Sequence, residues 1–270
     1  MSLDAASRYE IAGGTVTGRS HVLSGKPNQD AHAWLCRGEV LVAVVCDGCG
    51  SSAHSEVGAQ LGARLCTARL AARLAEGAAL DDPALWDGLR GDVLGTLGAL
   101  GAAMGGRLAD TVADHFLFTV VGLAFRGDEG CVFAAGDGIA AVDGAVTRLG
   151  PFPGNEPPYL AYGLLSASAP GFSVVRTFTG ARSALLGTDG AADLADLAAR
   201  PLPGGGAEVG PLSQLWEQDR YFENGDALRR RLALVNREVT RPRWDERRIE
   251  RDVGLLGDDT TVVVVRRKAG

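Results

Sequence analysis

The chain has 270 residues, 46% hydrophobic and 22% charged, enough for a substantial core and unlike a disordered chain. A net charge of -6 argues against a nucleic-acid footprint, and no apolar run approaches the length that spans a bilayer. Five cysteines without framework spacing fit thiols kept reduced in a cytoplasm, and MSLDAASRYE has neither the basic start nor the apolar core of a signal peptide.

In chain order, residues 9–16 and 31–36 read as strands, the second joined through Arg37-Gly38-Glu39 to a third over 40–46. Residues 18–30 between the first two are polar, contain Gly and Pro, and read as loop. A helix of about 20 residues follows residue 52, with an apolar stripe at Val57, Leu61, Leu65, Ala68 and Ala72. A second helix starts near Pro83, striped by Leu85, Leu89, Val93, Leu97, Leu100 and Met104, with the methionine expected to fill core. Strands are expected over 116–125, 131–135, 139–142 and 145–149, the last two turning at Asp143-Gly144. Residues 152–162, rich in Pro, Gly and aromatics, read as a surface loop or flap. Strands over 173–178 and 184–186 follow, then a helix from Ala191 and a Gly/Pro loop over 201–211. Asp226 is placed to cap a helix striped by Leu228, Leu232, Val235 and Val239 and stopped near Pro242. The mixed-charge run 241–252 reads as a solvated face or loop, and 262–265 as a closing strand. No linker or repeat divides the chain, so one domain over 1–270 is expected.

The chemistry concentrates where apolar strands stop. Residues 40–46 form a continuous apolar run, the pattern of a strand covered on both faces, and it ends at Asp47, Gly48 and Gly50. Asp-Gly is also an ordinary turn dipeptide that recurs elsewhere in this chain. Gly48-x-Gly50-x-x-Ala53 mimics a dinucleotide fingerprint, but the required acidic strand end about 20 residues on is absent. Cys46-x-x-Cys49 has no second pair with which to build a zinc site. Asp189 and Asp258 repeat the arrangement of Asp47, and Asp137 and Asp30 lie in similar settings. Carboxylates gathered at one sheet edge would repel one another, a conflict that a divalent cation resolves. An oxygen-only set suits Mg²⁺ or Mn²⁺ better than zinc.

The ordered set Asn28-Gln29-Asp30-Ala31, Val45-Cys46-Asp47-Gly48, Ala135-Gly136-Asp137, Thr188-Asp189-Gly190-Ala191-Ala192-Asp193 and Asp258-Asp259-Thr260-Thr261-Val262 resembles the type 2C metal-dependent protein phosphatases, most closely their bacterial branch. The resemblance covers about residues 15–265. It implies an α+β fold, a four-layer α-β-β-α sandwich of two antiparallel sheets packed face to face with helices outside. It further implies two Mn²⁺ or Mg²⁺ ions, bridged by Asp47, with the Gly48 carbonyl, Asp189 and Asp258 as further ligands. Asp30 would act through a bound water, Asp137 would join Asp189 at a third, weaker ion, and Asp193 matches the acid that follows the family's Asp-Gly. Asp259 falls where relatives often carry Asn and is not assigned as a ligand. The implied reaction is hydrolysis of phosphoserine or phosphothreonine by a water bridging the metals. The implied partner is a phosphorylated protein, a Ser/Thr kinase or its targets, with neither nucleic acid nor membrane involved.

Two positions depart from the family pattern. Cys49 stands where animal relatives place a candidate acid histidine, and Gly25 stands at the spacing of a phosphate-gripping arginine. Lys26 is the nearest substitute, with His21 behind it. The rival reading is a catalytically silent phosphoprotein-binding module on the same fold.

Overall fold

The computed structural model describes residues 4–268. Its first half runs α1 (Ala5–Arg8), β1 (Tyr9–Val16), α2 (Arg19–Ser24), β2 (Asp30–Arg37), β3 (Val40–Asp47), α3 (Ser55–Ala75), α4 (Pro83–Met104), α5 (Leu108–Thr111), β4 (Val120–Arg126) and β5 (Glu129–Ala135). There follow β6 (Gly138–Val142), β7 (Ala145–Leu149), β8 (Ser173–Thr179), β9 (Ser183–Gly187), α6 (Asp189–Asp196), α7 (Gln214–Glu217), α8 (Arg220–Glu223), α9 (Ala227–Val235), β10 (Val239–Arg243), β11 (Arg248–Asp252) and β12 (Thr260–Arg267). Two five-stranded antiparallel sheets result, ordered β1-β12-β9-β6-β7 and β2-β3-β4-β5-β8.

Strand alternation explains why 40–46 is apolar throughout. Val40, Val42, Val44 and Cys46 pack against α3 and α4, while Leu41, Ala43 and Val45 meet Ala140, Leu186 and Val263 of the other sheet. On the far side, Ile139, Leu185 and Val262 pack under α6 and α9. The layers are therefore helix, sheet, sheet, helix, the sandwich that the family resemblance implies. Each fully buried aliphatic side chain contributes about 1.5–3 kcal/mol, so the three apolar layers supply most of the driving force.

Several local expectations are corrected. Residues 18–30 are not all loop: α2 forms there, closed by Gly25 in the left-handed conformation. Helix α3 buries Ala59, Ala63, Cys66 and Leu70, whereas Val57 and Ala68 of the expected stripe are exposed. Its inner face is small because Phe118 lies directly on Gly58 and Gly62. In α4, Leu85 to Leu97 are buried as expected, but Met104 is 52% exposed and fills no core. The strand expected from 116 begins only at Val120, because 112–116 form a π turn. Helix α9 stops at Val235, where the Asn236 side chain bonds the Thr17 carbonyl and the Leu256 N–H. Asp226 flanks its start, but its carboxylate pairs with Arg229 and Arg230 rather than capping. Residues 239–252 are a hairpin, β10–β11, with Arg243 paired to Glu250 across the strands. Residues 152–162 are only partly surface, since Tyr159, Leu160 and Ala161 are buried against the α4 side of the core.

Candidate metal and catalytic centre

The strand ends of both sheets meet at one edge of the sandwich. Asp47 is the last residue of β3 and pairs in register with Asp30, the first of β2. Asp189 opens α6 immediately after β9, Asp258 precedes β12, and Asp137 sits between β5 and β6. A cleft of about 520 Å³ opens there, lined by Asp47, Gly48, Asp137, Asp189 and Asp258. Cys49, Ser51 and Tyr159 also line it, together with Glu156, and among the described residues no Lys, Arg or His side chain does. A larger, more open depression of about 1210 Å³ lies elsewhere, and it contains none of the strand-end carboxylates singled out in the sequence. The residues singled out in the sequence line the smaller cleft.

Its electrostatics are those of an anion cage without counter-charge. Burial, then the carboxylates of Asp30, Asp189 and Asp258, push Asp47 well above the usual carboxylate range. Asp189 is pushed up to about 6 by burial and by Asp258 and Asp137. Burial raises Asp137 as well. Asp30 is raised by burial, although the Thr188 hydroxyl donates to its Oδ2 at 2.8 Å. The Oδ1 atoms of Asp30 and Asp189 are buried with no hydrogen-bond partner. Orphaned carboxylate oxygens facing an uncompensated negative cavity are a donor set suited to hard divalent cations. Beside them, burial raises the Cys49 thiol, but hydrogen bonds from Ser51 and Tyr159 outweigh it and leave it below the usual thiol range.

Asp259 does something different from its neighbour. It is buried, and it accepts the Gly18 and Gln29 backbone N–H groups at 2.6 Å each and the His21 ring at 2.8 Å. It thereby ties α2 and the 28–30 turn to the start of β12. Two glycines permit the approach: a Cβ on Gly18 would lie 2.2 Å from the Asp258 carbonyl carbon, and one on Gly190 would lie 2.2 Å from the Asp259 oxygen.

Of the residues singled out in the sequence, Asp47, Gly48, Asp137, Asp189 and Asp258 line the cleft, and Asp30 lies behind Asp47. Asp193 is exposed one turn along α6 from Asp189 and does not line it. Neither proposed phosphate grip reaches the wall. Lys26 donates to the Gly50 carbonyl at 2.5 Å, and His21 is committed to Asp259 through Nδ1. Among the described residues, the one set of three ligand atoms within 4.8 Å of one another is His21, Asp258 and Asp259, not Asp47, Asp189 and Asp258. Sequence reasoning missed Tyr159, Thr188 and the latch role of Asp259. The aromatic pair Tyr159 and Tyr162 in a Pro/Gly loop was the one available signal for the first.

Comparison with known proteins follows the same lines. A family model described as protein phosphatase 2C matches residues 17–199. No curated protein sequence matches the chain. Among solved structures, a point mutant of a bacterial serine phosphatase is 17% identical with a TM-score of 0.55, covering 97% of this chain and 100% of that one. The serine/threonine phosphatase Stp1 from Staphylococcus aureus is 14% identical with a TM-score of 0.55, covering 100% and 98%. The catalytic domain of the serine threonine protein phosphatase PstP, in complex with two manganese ions, is 16% identical with a TM-score of 0.52, covering 97% and 99%. At these identities the solved structures establish the fold.

Proposed function

The chain belongs to the protein phosphatase 2C family, and from that premise we propose that it is a metal-dependent phosphatase acting on phosphoserine or phosphothreonine in proteins. One observation carries the reading: Asp47 with Gly48, Asp137, Asp189 and Asp258, from four separate strand ends, wall a single cleft lined by no side-chain cation among the described residues. A phosphate dianion entering that cleft unaided would meet like charge on every side.

Asp47 would hold two Mn²⁺ or Mg²⁺ ions with the Gly48 carbonyl, Asp189 and Asp258, and Asp137 with Asp189 would serve a third. When bound, such ions neutralise phosphoryl oxygens and bring the pKa of water near neutrality. Asp30, bonded by the Thr188 hydroxyl and paired in register with Asp47, would orient water. Asp193, exposed one helical turn beyond Asp189, would act from outside the ligand set. Ser51, Cys49 and Tyr159 line the cleft wall, where they would contact the phosphoester. Lys26 adds positive charge at the rim while it braces the Gly50 loop. No nucleophilic side chain is required, so no phosphoenzyme is expected. The proposed partner is a cytoplasmic phosphoprotein, a Ser/Thr kinase or one of its targets. No helix among the described residues is long and apolar enough to cross a membrane.

The test is hydrolysis of a phosphothreonine peptide and an aryl phosphate with Mn²⁺, with Mg²⁺ and with chelator. Rates dependent on the ion, and lowered at least about 10²-fold by Asp47→Asn, are expected. Phosphopeptide binding without turnover under all three conditions would favour the silent module instead.

A further inference from the structure

We propose that the β10–β11 hairpin is a docking surface for an acidic polypeptide segment. That this segment belongs to the phosphoprotein substrate rests on the phosphatase reading. Charge singles the hairpin out. From α9 through β11, residues 227–252 hold nine arginines and five acidic residues, a formal net of +4 in a chain of -6, which leaves -10 for everything else. Exposed pairs such as Arg243 with Glu250, Arg248 with Glu246 and Arg251 with Glu238 do not remove this excess. Among the described residues Arg231 and Arg237 bond only carbonyl oxygens, and the Arg247 guanidinium makes no hydrogen bond or ion pair.

The hairpin also carries apolar side chains that nothing covers. Its register sets Pro242 opposite Ile249 and Thr240 opposite Arg251 on one face. Ile249 is 71% exposed, and Trp244 at the turn, at 82%, is the most exposed large hydrophobic residue described. The base of the hairpin is anchored instead. Arg241 donates to the Gly204 carbonyl, the Gly204 N–H donates to Asp252 at 3.0 Å, and Arg237 grips the Pro203 carbonyl at 2.8 Å. A two-stranded hairpin is marginal alone, so this anchoring fixes a platform whose outer side chains add nothing to the core. Trp and Arg are the side chains that concentrate binding energy, the indole through its area and the guanidinium through paired bonds to carboxylates. An acidic segment is repelled by the body of the molecule and by the carboxylates of the cleft, which leaves the hairpin as the place where it settles. Asp252 precedes Asp258 by six residues, so the hairpin base lies within about 22 Å of the cleft wall. The segment between them is held by the Leu255 N–H on the Val235 carbonyl and the Leu256 N–H on the Asn236 side chain. A docked acidic segment thereby raises the local concentration of a phosphorylated residue next to it in sequence.

The probe is a fluorescein-labelled, unphosphorylated peptide of Glu and Asp with interspersed Leu, titrated with the full chain and read by anisotropy. Wild type should bind it, with affinity falling as salt rises, and should not bind the same peptide with Lys in place of the acids. Trp244→Ala combined with Arg247→Ala should weaken binding at least about tenfold. A phosphothreonine peptide carrying the acidic tract should show a KM about tenfold below that of one lacking it, with kcat unchanged. The double variant should erase that difference while hydrolysing an aryl phosphate at the wild-type rate, which also reports that it folds. Equal KM for the two phosphopeptides in wild type, or an advantage that survives in the double variant, overturns the proposal and leaves the phosphatase reading intact. Trp244-dependent binding to phosphatidylserine vesicles, or Trp244-dependent self-association, in place of peptide binding overturns it equally. Peptide binding at the hairpin without hydrolysis of any substrate defeats the phosphatase reading and upholds the acidic partner.

Discussion

Adjacent and similar carboxylates have opposite energetics here. Asp259 is satisfied by three N–H donors, and Asp259→Ala should cost about 3 kcal/mol in urea unfolding because those donors are left buried and unpaired. Asp189 sits in repulsion, its carboxyl held at about 6 against the ordinary 3.8. The folded group binds its proton more tightly than the unfolded one. The stability it contributes is therefore complete below about pH 4 and is lost as pH rises through about 6, a swing of about 3 kcal/mol. Metal-free protein should accordingly melt at a lower temperature at pH 7 than at pH 4.5, as far as this group governs, and Mn²⁺ should restore much of the loss at pH 7. Thermal melts with chelator and with Mn²⁺ check both signs. Asp189→Asn should raise the chelated melting temperature at pH 7 while abolishing hydrolysis, the separation expected of a residue kept for chemistry rather than for stability.

At the scale of elements, burial decides which side chains matter. Leu97→Ala should cost about 2–5 kcal/mol, since Leu97 on α4 is wholly buried. Met104→Ala, two stripe positions further on, should change stability by less than about 0.5 kcal/mol because Met104 faces solvent. Equilibrium unfolding of the two variants separates them. Periodicity alone placed both residues on one stripe. It could not report that the C-terminal end of α4 is exposed, nor that α3 turns a face of Gly, Ala and Cys to the sheet because Phe118 occupies the space. The β10–β11 hairpin was hidden for a related reason: its strands are stabilised by cross-strand charge pairs and leave Trp244 82% exposed, so no apolar alternation marks them. The cleft carboxylates Asp47, Asp137, Asp189 and Asp258 were legible because each sits beside a glycine at the end of an apolar strand. Tyr159 and Thr188 were not, because a lone aromatic or hydroxyl acquires its role only from what folds against it.

Over the whole molecule, the layered sandwich explains how residues more than 200 positions apart come to share one cleft. Each sheet delivers strand ends to the same edge, β2 and β3 from one and β6, β9 and β12 from the other. The packed layers let the fold keep a cluster of like charges that would be intolerable in the core. Anomalous diffraction from crystals soaked in Mn²⁺ tests this most directly. Manganese peaks at bonding distance from Asp47, Asp189 and Asp258 oxygens are expected in the 520 Å³ cleft. A cleft empty at millimolar Mn²⁺, or ions bound only at other surfaces, would contradict the account.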